Sequence, residues 1–269
     1  MEYELTSADL ESNNKKVYLE WNNISFSVPQ KVLLHNMSGH AEPGRLLAIM
    51  GSSGAGKSTL LDVLAGRLDS PSLQGNLLIN GKPVDKMEFR KTTGYVMQSD
   101  ALFPLMTVRE TLRYAAYLRI RDKTTAEKNA IAESFISLLR LEDCADTIVG
   151  NDDNRGISGG QKRRVSVGVD IIHRPSVIFL DEPTSGLDSS TALTVVESLK
   201  QIATLQNCTV IFSLHQPSAK LFNLIDDVIF LANGKVTYSG EVKGLSAFIK
   251  NSYKEANLGE VPIANQVSC

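Results

Sequence analysis

Cysteine is scarce in this chain: Cys144, Cys208 and Cys269 stand far apart among 269 residues and form no C-x-x-C pair. That spacing excludes a disulfide framework and a zinc site, and reads as two packing thiols and a tail residue. A surplus of positive charge is also lacking, since 28 Lys and Arg face 30 Asp and Glu for a net charge of -2. No global field is available to grip nucleic acid, which is therefore not an expected partner. The most apolar segments, such as Val177 to Leu180 and Val228 to Ala232, are strand-length, far short of a membrane span. The first residues carry Glu2, Glu4, Asp9 and Glu11 where a secretory leader would be basic and then apolar, so a cytosolic location is expected. Solenoid-period repeats, long heptad runs and low-complexity tracts are missing too, which excludes arrays and long coiled coils.

What remains is an ordinary globular composition, 42% hydrophobic and 22% charged, in a chain long enough for a large core. Residues 1–16 are polar and aperiodic and read as a flexible lead. From about Val17 strand-like patterns begin: YLEWNNISFSV, then Leu46 to Met50, Leu77 to Ile79, Tyr95 to Met97, Val177 to Leu180, Val210 to Leu214 and Val228 to Leu231, expected to frame a sheet. Between the fourth and fifth of these lies a block of helical periodicity, with Val108, Leu112 and Ala115, then Ile131, Phe135, Leu138 and Leu139 on apolar faces. The expected fold class is α/β with an inserted α-helical subdomain. Its expected bounds are a folded unit over 17–250, built from a core of 17–98 and 175–250 and a helical part of 99–174, with a tail over 251–269.

The segment GSSGAGKST follows the strand Leu46 to Met50 and opens a helix carrying Leu60, Leu61, Val63 and Leu64. It satisfies G-x-x-x-x-G-K-[ST] in the strand-loop-helix context that this pattern requires. Glycines permit positive φ and close backbone approach, so the N–H groups of Gly51, Ser52, Ser53, Gly54, Ala55 and Gly56 can face phosphate oxygens at a positively polarised helix start. Lys57 is expected on the β- and γ-phosphates, the Ser58 hydroxyl on Mg²⁺, and Thr59 at the α-phosphate.

Val177 to Glu182, VIFLDE, is an apolar strand ending in two carboxylates. With a phosphate loop upstream, Asp181 is expected to hold the metal through water and Glu182 to act as general base on the attacking water. A guanine-reading Asn-Lys-x-Asp is absent. In its place ISGGQKRR begins a predicted helix, with Ser158 standing 23 residues before Asp181. A second Ser-Gly-Gly turn on a helix N-terminus is a second anion site, and one phosphate tail does not need two. The economical reading is that Ser158, Gly159, Gly160 and Gln161 serve a neighbour's nucleotide.

At this point the chain resembles the ATP-binding cassette (ABC) family. The ordered set is the Walker A loop Gly51 to Thr59, Gln98, SGGQ, the Walker B strand 177–182, SGLD (185–188) and His215. The surrounding runs LLDVLAGR, LMTVRETL, RGISGGQKRRVSVG, LDEPTSGLDSST and FSLHQPS are similar to the G subfamily. The resemblance implies a P-loop NTPase core with an antiparallel β subdomain, hydrolysing ATP with Mg²⁺. It implies Gln98 as a metal-reaching Q-loop residue, His215 as a γ-phosphate contact, and Asp188 as a residue of the dimer interface, a position equally suited to capping the next helix. It further implies head-to-tail pairing with a second nucleotide-binding domain, a transmembrane domain as partner at the cytoplasmic face of a membrane, and export of lipids, sterols or xenobiotics. The alternative is a soluble ABC ATPase in a non-transport complex. LFPLMTV, near Gln98 to Glu110, is expected either to couple to the membrane part or to pack in the core. Two positions depart from the family pattern: Val28 stands where an aromatic commonly stacks on adenine, with Phe26 on the same strand face and Trp21 further back, and Gln161 stands where the subfamily often has Glu. Members of the G subfamily carry a six-helix membrane domain after the nucleotide domain in the same polypeptide, and the tail here, from about Ser252, lacks the Asn-Pro-Ala-Asp-Phe-like stretch that leads into a first span.

Overall fold

A computed structural model of the chain describes residues 16–255 apart from Asp100 and Asp152. The N-terminal lead up to residue 15 and the tail from 256, including Cys269, lie outside the described residues. Strand β3 (Leu46–Gly51) is central to a six-stranded sheet, its first five residues buried. It pairs in parallel with β8 (Thr209–Leu214) on one side and β9 (Asp227–Ala232) on the other. Beyond β8 lie β7 (Val177–Leu180) and β6 (Thr93–Val96), also parallel, and β10 (Lys235–Glu241) closes the opposite edge antiparallel to β9.

The parallel strands read as continuous apolar runs because both faces are covered. Side chains alternate across the sheet. Leu47, Ile49, Phe179 and Ile211 enter one core, and Ala48, Met50, Ile178, Leu180 and Phe212 enter the other. The first core lies under a separate antiparallel sheet of β1 (Leu19–Val28), β2 (Lys31–Ala41), β4 (Gln74–Ile79) and β5 (Lys82–Pro83), in the order β2-β1-β4-β5. Leu77 to Ile79 therefore belongs, together with the YLEWNNISFSV segment that forms β1, to this second sheet and not to the six-stranded one that contains the remaining five expected strands. β6 also stops one residue before Met97, which is 52% exposed and lies past the last pairing of Val96 with Leu180.

The second core is roofed by α3 (Val108–Arg119), α4 (Thr125–Leu138) and α5 (Gly159–Ile171), together with α6 (Ser189–Gln206) and the short α7 (Ala219–Phe222). Every residue of the expected periodic stripe, from Val108 to Leu139, is buried. Arg109 joins α3 to Glu133 on α4 and to Asp146 beyond it. The last described helix, α8 (Val242–Glu255), runs without a break through residue 250. Cys144 and Cys208 are buried and free, and burial pushes the Cys208 thiol up to about 12, in keeping with packing residues. Among the described residues no helix is long and apolar enough to cross a membrane.

Candidate nucleotide site

Four of the parallel strands end at the same edge of the sheet, and the segments that follow them carry the candidate residues: Gly51 to Thr59 after β3, Gln98 after β6, Asp181 and Glu182 after β7, and His215 after β8. Ligands of open α/β sheets bind at this edge, where crossovers diverge to opposite faces. Residues up to 164 positions apart become neighbours because β3 and β8 lie side by side, Met50 level with Leu214.

The loop after β3 turns into α1 (Lys57–Leu64) through Gly56, which has φ of 103° in the left-handed region and would put a Cβ 3.1 Å from Leu34 Cδ2. No side chain caps α1. By contrast α2 (Lys86–Thr92), α3, α4, α5, α6 and α7 all begin with a side chain accepting from their own first-turn N–H groups. An uncapped, positively polarised helix start beside a buried lysine suits a phosphate. Lys57 is only 6% exposed, and its Nζ donates to the carbonyls of Gly51 (3.0 Å) and Ser52 (3.1 Å) along the loop.

The Ser58 hydroxyl donates to Asp181 Oδ1 at 3.0 Å. The same oxygen accepts from Ser213 Oγ at 2.6 Å, and Ser213 Oγ in turn accepts from the backbone N–H of Glu182 at 2.8 Å. Glu182 has φ of 44°, the left-handed region that side-chain-bearing residues rarely occupy, so its backbone is strained at the position proposed for chemistry. Gln98 Nε2 donates to Glu182 Oε2 at 3.1 Å. Glu182 and His215 also line a common cavity of about 180 Å³ with Thr184, Ser185, Leu214 and Gln216. Lys57, Ser58, Gln98, Asp181, Glu182 and His215 are thus gathered at one sheet edge.

Ser158, Gly159, Gly160 and Gln161 form the start of α5. Ser158 Oγ accepts from Gln161 N (3.3 Å) while Gln161 Oε1 accepts from Ser158 N (2.8 Å), a reciprocal cap. Asp188 caps α6: its carboxylate accepts from the hydroxyls of Ser190 and Thr191, both at 2.5 Å, and from their N–H groups. Those hydroxyls hold its carboxyl far below the usual carboxylate range. Thr191 joins the two caps, for a Cβ on Gly160 would fall 1.9 Å from Thr191 Cγ2. Val28 is 39% exposed at the end of β1, whereas Phe26 and Trp21 are buried in the core. Ser213 and Arg163 escaped the sequence reading. Ser213 could have been found as a hydroxyl inside the fully buried strand TVIFSL.

A phosphate loop, a hydroxyl–carboxylate pair and a glutamate at adjacent strand ends, with a helical block carrying SGGQ, define an ATP-binding P-loop domain of the ABC kind. The family model for the ABC transporter matches residues 34–185, and the chain belongs to that family. It is 44% identical over 256 residues to ABC transporter G family member STR2 of Medicago truncatula, covering 95% of this chain and 34% of that protein. It is 46% identical over 224 residues to ABC transporter G family member 6 of Arabidopsis thaliana, with 83% and 31% covered. To member 19 of the same plant it is 47% identical over 223 residues, with 82% and 31% covered. The chain thus spans about a third of the length of these curated relatives. Membership of the family makes it an ATPase domain.

Proposed function

We propose that this domain is the motor of a membrane transporter, binding Mg·ATP, pairing head to tail with a second nucleotide-binding domain, and driving export by closure and hydrolysis. The observation that carries this reading is the Ser58–Asp181–Ser213–Glu182–Gln98 chain of hydrogen bonds beside an uncapped α1. The residues suit Mg²⁺. Ser58 Oγ and Asp181 Oδ1 lie 3.0 Å apart, and Mg²⁺ bound with nucleotide takes one or two protein oxygens plus phosphate and water. Ser58 and Asp181 would hold it, with Gln98 at its edge, and it would neutralise charge on the transferring phosphoryl group.

The α1 N–H groups and Lys57 bind and orient the phosphates. Glu182, fixed by Ser213 and Gln98, accepts a proton from the attacking water, and His215 stands beside it across the shared cavity. Ser158 to Gln161 and Asp188 meet the partner's nucleotide in the closed pair, and the partner's equivalents complete this site. The segment after Gln98 supports coupling to a membrane domain, because Phe103 is 72% and Leu105 75% exposed rather than packed in the core. Cargo, expected to be lipid-, sterol- or xenobiotic-like, would be chosen by membrane helices outside this chain. The similarity to G family transporters disfavours a non-transport complex.

The test is the solution mass of Glu182→Gln with and without Mg·ATP, with Lys57→Ala as control. Glu182→Gln is expected to hydrolyse about 10²- to 10⁴-fold more slowly and to form an ATP-dependent dimer that Lys57→Ala does not form. Hydrolysis near the wild-type rate would remove Glu182 from the role of base.

A further inference from the structure

The basic run that follows SGGQ, Lys162-Arg163-Arg164, divides in the folded chain. Lys162 Nζ donates to the Gly150 carbonyl (2.9 Å) and Arg164 Nη2 to the Arg140 carbonyl (3.4 Å), both within the helical block. Arg163 points the other way. It is 4% exposed, and its guanidinium donates to backbone carbonyls on the catalytic core, among them Met97 O at 2.6 Å and Gln98 O at 3.3 Å from Nη1, Asp181 O at 3.3 Å from Nη2, and Pro183 O at 3.2 Å from Nε.

These carbonyls flank the two residues whose side chains meet at 3.1 Å, Gln98 and Glu182. One planar group therefore grips the backbone at Gln98 and on both sides of Glu182. The Glu182 peptide is held in a left-handed conformation that the chain would leave without such constraints. Arg163 also belongs to α5, one and a half turns from Ser158, and a helix transmits axial displacement as a rigid rod.

We propose that Arg163 is a positioning residue for hydrolysis, which sets the Gln98–Glu182 geometry and carries displacement of the Ser158 to Gln161 turn directly to the general base. This rests on the motor reading above. A partner nucleotide seated on the α5 N-terminus pulls on the same helix whose fifth residue clamps the base, so the site fires only when the neighbour is engaged. The guanidinium is required for its shape. Its five donors form a flat fork that reaches carbonyls in two directions, whereas an ammonium on a flexible stem is a point donor.

The experiment compares Arg163→Lys, Arg163→Ala and wild type in the full-length protein. It follows kcat and KM for ATP, affinity for a fluorescent ATP analogue, and the thermal unfolding midpoint. Both variants are expected to lose about 30-fold or more in kcat, the scale of a sub-ångström to ångström misplacement of a reacting group, with KM and nucleotide affinity within about twofold of wild type. Millimolar guanidinium, far below denaturing concentration, is expected to restore kcat several-fold in Arg163→Ala and not in wild type. Three results would overturn the proposal: kcat within threefold of wild type in Arg163→Ala, full rescue by Arg163→Lys, or kcat and nucleotide affinity falling together with the unfolding midpoint. A wild-type protein that neither binds nor hydrolyses ATP would instead defeat the motor reading.

Discussion

The starts of α1 and α5 are both glycine-rich turns entering a helix, yet the fold finishes them differently. At α1 the cap position is a glycine, no side chain satisfies the first N–H groups, and a buried lysine and two strand-end acids stand around it. At α5 Ser158 and Gln161 close the turn on themselves, and Lys162 in the first turn is committed to the Gly150 carbonyl at 2.9 Å. In the proposed reading the first turn receives phosphate within its own chain. The second is closed by its own reciprocal cap, and in the proposed reading it meets the partner's nucleotide. Helix polarity is common to both, so the surrounding side chains decide which is a binding site by itself.

Three substitutions probe that contrast. Lys57→Ala removes the cation at α1, and at about 1.5–3 kcal/mol for each charge-assisted hydrogen bond it is expected to weaken ATP binding by about 10- to 100-fold. Isothermal titration would measure this, and unchanged affinity would mean that the α1 turn is no more a phosphate site than α5. Gly160→Ala forces a methyl group into Thr191 Cγ2 at 1.9 Å, so a loss of about 1–3 kcal/mol in folding stability is expected from a denaturant titration, with pairing impaired and single-chain ATP affinity retained. Smallest is Ser158→Ala, which deletes a helix cap for about 1 kcal/mol, read as a lower unfolding midpoint. In that variant single-chain ATP affinity should stand unchanged. If it falls as far as in Lys57→Ala, the α5 turn acts in its own chain and the two turns are not distinct in role.

Much of the candidate site is legible in the sequence because its chemistry is local. GSSGAGKST specifies its own turn and helix, VIFLDE specifies a buried strand with acids at its end, and the apolar spacing of Val108 to Leu139 specifies which faces of α3 and α4 are covered. Leu77 to Ile79 shows where such reading stops. Its short apolar run identifies a strand, but partner choice depends on Trp21 and Glu20 across the ladder, and those put it in the antiparallel sheet. Arg163 was equally hidden. In a run of three basic residues on a helix, spacing alone does not distinguish the side chain that reaches the catalytic core from the two that reach the helical block.

What the sequence by itself determined was therefore each segment's conformation and chemical equipment: phosphate loop, acid pair, SGGQ turn, switch-like histidine, and the family to which they belong. Tertiary structure decided their assembly. Parallel pairing of β3, β8, β7 and β6 in register brings Lys57, His215, Glu182 and Gln98 to one edge, and Ser213, an ordinary hydroxyl in sequence, becomes the bridge between Asp181 and the Glu182 backbone. The reason is physical. Local preference acts over a few residues, whereas strand order and the direction of a buried guanidinium are settled by which surfaces can be packed together without stranding a polar group.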